Sequence, residues 1–205
     1  GKKVGAWVVE QRAASRRDSG ASAVGRTVVH DQRSPTKASL VRTIHAAAVD
    51  TAQWPAALEQ LRAGLDASVV TIGRHEFANG ADAAMYESPD DLHFSRDIAA
   101  FAARNPWYLS SEDYVAGRVI SGEDIVSTKD LKRTDFYRGF LQPRGLLHRL
   151  CGVVAQRGSS AYLLSAYRLE ERGAFDAAAK HELHSLLGHV TLSLESQWRW
   201  QEAND

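Results

Sequence analysis

Residues 134–170 read TDFYRGFLQPRGLLHRLCGVVAQRGSSAYLLSAYRLE, and their pattern decides the fold. Phe136, Tyr137, Phe140 and Leu141 recur at three- and four-residue spacing, which puts them on one helical face. Pro143 ends that helix, because it has no N–H and its ring clashes with the preceding turn. Residues 147–155 and 162–169 are rich in Leu, Val and Tyr, and Gly158-Ser159-Ser160 separates them. That is the signature of a hairpin with a short glycine-containing loop. Within it, Leu150, Val154, Leu164 and Ala166 occupy one set of alternate positions, and Cys151, Val153, Leu163 and Tyr167 the other. Both sets are apolar, so both faces of this ribbon must be covered.

The flanking chain supplies the cover. Residues 68–77, with Val69, Val70, Ile72 and Phe77, predict another strand; Asn79-Gly80 predicts a turn and residues 83–87 its return. Leu40, Ile44, Ala47 and Ala48 predict an early helix. Thr51 is placed to cap a second, carrying Trp54, Leu58, Leu61 and Leu65, with Pro55 tolerated in its first turn. Phe94, Ile98 and Phe101 predict a helix over 92–104 that ends at Asn105-Pro106. Trp107, Tyr108 and Tyr114 follow in a loop, and Ile125-Val126 reads as a short extended piece. Ser127 or Thr128, then Thr134 or Asp135, are placed to cap the next helical turns. A long helix begins near Phe175, striped by Leu183, Leu187, Val190, Leu194 and Trp198. Its first half is expected to pack on the sheet. Its last turns, with Trp198 and Trp200, are expected to form a dimer seam or a connector, since exposed tryptophans call for a partner. The class is α+β: a central antiparallel sheet flanked by helices, with a long C-terminal helix.

Of the 205 residues 44% are hydrophobic and 24% charged, ordinary values for a globular chain. The formal net charge is zero, which gives no electrostatic case for nucleic acid or an acidic membrane as partner. A single cysteine, Cys151, excludes an internal disulfide and fits a cytoplasmic location. No apolar run is long enough to predict a membrane span. The charge is uneven, with 8 basic and 3 acidic groups in residues 1–37. The organisation expected is a flexible basic segment over 1–37, a folded domain over 38–195 and the end of a connector helix over 196–205.

Catalytic and metal-binding signatures are missing from the sequence. His181, His184 and His189 lie on the last helix without the further ligands a site requires, and read as solvated side chains. There is no HExxH, paired CxxC, GxGxxG, phosphate loop or GxSxG. Neither catalysis, nor a metal, nor a cofactor is therefore expected. Asp90-Asp91 and Glu123-Asp124 read as turn and cap residues. The aromatic set remains. Trp107, Tyr108, Phe136 and Tyr137, with Tyr86 and His75, are candidates to line a mostly apolar cavity beneath the hairpin, and the strand residue Cys151 is counted with them. His75, Arg149 and Tyr162 are candidates for its polar contacts. The alternative is that these rings simply fill the core.

These residues together resemble the sensory region that precedes the DNA-binding domain in LuxR-type helix-turn-helix transcriptional regulators. The matching features are Trp54-Pro55-Ala56-Ala57-Leu58, Asn105-Pro106-Trp107-Tyr108, the block from Phe136 through Pro143 to Gly145, the hairpin ending in Tyr167-Arg168, and Phe175 with the following helix to Leu194. The resemblance implies a GAF- or PAS-like fold and signal sensing coupled to a C-terminal helix-turn-helix. The partners expected of this chain are a small-molecule ligand and a second copy, in a homodimer formed through the C-terminal helix. After Leu194 only 11 residues remain, and Arg199 is the sole Lys or Arg after Lys180. This chain is accordingly not expected to bind DNA itself. A dimerisation module without a ligand is the alternative on the same fold.

Overall fold

The computed structural model describes residues 36–89, 92–108 and 111–204. The expectation of a flexible basic segment falls almost wholly on residues 1–35, outside the described residues. Thr36 caps helix α1 (Lys37–Ala47), its hydroxyl accepting from Ser39 N at 3.2 Å. Asp50, rather than Thr51, caps the turn leading into α2 (Trp54–Gly64), because its carboxylate reaches Ala52 N at 3.1 Å. Strands β1 (Val69–Glu76) and β2 (Ala81–Ser88) form the first hairpin. Helix α3 (Leu92–Ala99) is shorter than expected, the chain relaxing into separate 3-10 turns at Ala102–Arg104 and Pro106–Tyr108.

A short strand β3 (Val119–Ser121) comes next, then the single-turn helices α4 (Gly122–Ile125) and α5 (Thr128–Leu131). The extended piece expected at Ile125-Val126 thus lies earlier in the chain. Asp124 accepts from Ser121 N at 2.9 Å and winds the following residues into a helical turn. Ser127 caps α5 as expected, accepting from Asp130 N at 3.2 Å. Tyr137–Leu141 forms a π-helical turn, its entry fixed by Thr134 Oγ1 accepting from Tyr137 N at 3.1 Å. Gly145 adopts φ +66°, a left-handed conformation that side chains disfavour, and turns the chain into β4 (Leu146–Arg157). Strand β5 (Ser160–Leu169) and the 26-residue helix α6 (Ala177–Glu202) complete the fold.

Among the described residues the five strands form one antiparallel sheet in the order β2-β1-β5-β4-β3. Its two faces follow the alternation read from sequence. Val70, Ile72, Leu150, Val154, Leu164 and Ala166 pack with α1, α2 and α6. Val69, Tyr167, Leu163, Cys151 and Val153 point the other way, under α3 and the segments between α3 and β4. The stripe on α6 is buried from Leu183 through Trp198. Trp198 lies against Tyr162, with ring centroids 4.5 Å apart, and Arg157 sits 4.2 Å over its ring. The expected seam at Trp198 is therefore internal packing, whereas Trp200 is 68% exposed. Helix α6 rests directly on β4 at Gly152, where a Cβ would come within 2.4 Å of Leu187 Cδ2.

Candidate ligand-binding site

The face away from α6 holds an aromatic cluster and, beside it, a polar cleft. Phe136 stacks on Phe140 with centroids 5.5 Å apart and meets Trp107 edge-on at 5.3 Å; Phe94 packs on Phe140 and Tyr167 at 5.2 and 5.0 Å. Trp107 and Phe136 are essentially fully buried. The space expected to be hollow between Trp107 and Tyr137 is thus filled by the rings themselves.

The opening lies nearer β1 and β2. A cavity of about 40 Å³ sits between these strands, α3 and β5, with Thr71, His75, Asp82, Tyr108, Ser165 and Tyr167 in its wall. That volume accommodates about three waters. Strand register accounts for the convergence. His75 pairs with Asp82 across the first hairpin because residues 77–80 form a four-residue loop. In that loop Asn79 Oδ1 accepts from Ala81 N at 3.0 Å and Gly80 takes φ +65°. The Nδ1–H of His75, 2% exposed, donates to Asp82 Oδ1 at 2.6 Å. Tyr108 stacks on the His75 ring, centroids 3.8 Å apart, and Phe77 closes its edge at 4.6 Å.

Arg149 lies behind this wall. It is 1% exposed, within the buried part of β4, whose other inward residues past it, Leu150 to Ala155, are small or apolar. Its Nη1 donates to Tyr114 Oη at 3.2 Å, and its Nη2 to Tyr108 Oη at 3.3 Å and Ser165 Oγ at 3.2 Å. The guanidinium also lies 5.0 Å from the Tyr108 ring and 5.4 Å from that of Trp107. Its Nε has no hydrogen-bond partner. Among the described residues no carboxylate lies within ion-pair distance of Arg149. A guanidinium stays charged in proteins, and holding it away from water costs several kcal/mol unless an anion offsets it. Burial pushes the Tyr108 phenol well above its usual range, although Arg149 opposes that shift. Burial likewise raises the phenols of Tyr114 and Tyr167 to about 12. All three are neutral hydroxyls at physiological pH, so none supplies the missing negative charge.

The sequence-selected residues divide accordingly. His75 and Tyr108 stand in the cavity wall, and Arg149 binds two of the wall's hydroxyls. Trp107 backs the guanidinium. Phe136 belongs to the packed aromatic cluster, while Tyr137 directs its hydroxyl to Glu170 at 3.3 Å. Cys151 is fully buried beside Tyr114 and pairs with Ser165 in the β4–β5 register. Tyr86 stacks on Trp54, centroids 5.5 Å apart, and Tyr162 packs on Trp198, so both lie on the opposite face of the sheet. Asp82, Ser165, Thr71 and Tyr167 escaped the sequence reading as wall residues. The β1–β2 register would have found Asp82, but a four-residue loop is not signalled by Asn79-Gly80. Among the described residues no cluster of three or more His, Cys, Asp or Glu is placed to hold a metal.

The architecture is that of GAF domains and of the ligand-binding domains of LuxR-type regulators. The VqsR LBD domain from Pseudomonas aeruginosa superposes with a TM-score of 0.62 at 16% identity, over 79% of this chain and 96% of that one. Escherichia coli SdiA gives 0.54 at 17% identity, over 78% and 67%. A phycoerythrobilin-bound GAF domain from a cyanobacterial phytochrome gives 0.52 at 13% identity, over 81% and 98%. No protein-family profile and no curated protein sequence matches the chain. Among the described residues no helix is long and apolar enough to cross a membrane.

Proposed function

We propose that this chain is a sensory domain that binds a small molecule in the cleft walled by His75, Asp82, Tyr108 and Ser165. It passes occupancy to α6 as part of a LuxR-type regulator. The observation that carries the reading is the buried polar constellation around Arg149, set into a face of the sheet that is otherwise closed by aromatic packing. A fold with no ligand has no need of a charged group there, since an apolar side chain of similar volume would fill the position at less cost. The likeness to the VqsR LBD domain supports the same reading.

The cleft is narrow as it stands, so binding requires Tyr108 to give way. The route to α6 is short. Leu163 and Ser165 of β5 face the cleft, while Leu164 and Ala166, their neighbours in the chain, face the core beneath α6. A ligand shifts the packing of α6 only by as much as its affinity differs between the two arrangements. A thermal-shift screen against small metabolites tests the proposal. A true ligand raises Tm in a saturable way; if no metabolite does so, the sensing reading is wrong.

A second reading is a dimerisation module without a ligand. Trp200 and Val49 are exposed and share a surface groove of about 240 Å³ with Gln197 and Gln201. Light scattering on a Trp200→Glu variant separates the readings. Under the second, dimers present in the parent chain are lost.

A further inference from the structure

Resting on the sensory reading above, we propose that the cleft recognises a small molecule by its carboxylate, which binds the Arg149 guanidinium and the Ser165 hydroxyl in place of the Tyr108 phenol. Arg149 now donates to three neutral hydroxyls at 3.2, 3.2 and 3.3 Å, and its Nε donates to nothing. Hydrogen bonds from a guanidinium to a carboxylate are shorter than these, near 2.7–2.9 Å, and add the attraction of opposite charges that a hydroxyl does not supply. The present partners therefore under-use the charge. Two of them, Tyr108 and Ser165, belong to the cavity wall, so the guanidinium and the cavity are separated only by groups that a ligand can displace or share.

The charges around the cleft admit one more anion. Asp82 is the carboxylate in the cavity wall, and His75 engages it at 2.6 Å. Glu87, on the neighbouring strand, accepts from the hydroxyl of Ser95. An anion placed on the Arg149 side thus meets Ser165 and Tyr108 rather than a bare carboxylate. Tyr108 acts as the stand-in: stacked on His75, it lends Arg149 a hydroxyl oxygen until the ligand arrives. The body attached to the carboxylate is compact and partly apolar, because Leu163 and Ile98 complete the wall around a space of about 40 Å³.

The test compares straight-chain carboxylates of two to eight carbons with the primary amides of equal length, at fixed ionic strength, by thermal shift and titration calorimetry. At least one carboxylate is expected to bind saturably and about tenfold or more tighter than its amide. Arg149→Met is expected to erase that preference. Arg149→Lys, which keeps the cation, is expected to weaken binding while preserving the preference, and it serves where Arg149→Met does not fold. Amides that bind as well as carboxylates overturn the carboxylate proposal and leave the sensory reading standing. A preference that survives Arg149→Met also overturns it. Silence from both series overturns it too, and a ligand emerging from the metabolite screen then shows that only this inference, not the sensory reading, has failed.

Discussion

Two residues show how single positions set this structure. At Gly152 the absence of a side chain lets Leu187 approach the strand backbone. Gly152→Val forces α6 outward, and overpacking of this kind costs about 1–3 kcal/mol. Chemical denaturation is expected to show the loss as a lower midpoint with an unchanged slope. Glu59 is the second. Hydrogen bonds from Arg62, assisted by Ser88, hold its carboxyl at about 2, below the ordinary 4.5. A depressed carboxylate pKa stabilises the fold above the unfolded value and loses that contribution as pH falls from about 4.5 towards 2. Its side chain is half exposed, so solvent screening keeps the effect small. Glu59→Gln is expected to be less stable than the parent at pH 6 and indistinguishable from it near pH 2, as read by urea unfolding at both pH values. Arg149 was legible as an oddity, a lone charge in LLHRLCGVV, but nothing in the one-dimensional pattern shows that its neighbours are three hydroxyls and no acid.

Among the elements, long periodic segments were readable and short ones were not. The strands around Gly158-Ser159 and the stripe on α6 each repeat often enough for their period to be unambiguous. Strand β3 spans three residues, too few to show alternation, and its pairing with β4 is a tertiary fact. In the last turns of α6 only Trp198 departs from the expected seam, because Trp198 and Trp200 look alike in sequence. One lies against Tyr162 and Arg157, and the other is exposed. The helix therefore has distinct inner and outer faces, with separable phenotypes. Leu187→Glu buries an unpaired charge in the main core and is expected to abolish cooperative unfolding or lower stability by more than about 3 kcal/mol. Trp200→Glu is expected to leave the circular dichroism melt within a degree or two of the parent, since it alters only exposed surface. A large drop for Trp200→Glu would mean that this residue is covered in solution.

For the molecule as a whole, one sheet serves two cores. The layer under α1, α2 and α6 and the layer under α3 share every strand, so they cannot unfold independently. Trp54→Phe on one side and Phe136→Leu on the other are expected to shift one and the same transition, seen identically by fluorescence and by far-UV dichroism. Two separated transitions would refute this. The layered arrangement was legible because both sets of alternate positions in the hairpin are apolar. The location of the cleft was not. It depends on which aromatic rings find partners, and rings from α3, the 106–108 turn and the π-helical turn meet only once the sheet has brought them together.

The bare backbone at Gly152 has a mechanical consequence. Most helices ride on a cushion of side chains, whose rotamers absorb small displacements of the layer below. Here Leu187 touches the strand itself. Close-packed interiors compress little, so under the proposed mechanism a tilt of β4 at Arg149, three residues away, would reach α6 through this contact. On the sensory reading proposed above, the long helix is the pointer of a gauge whose pivot is a missing methyl group.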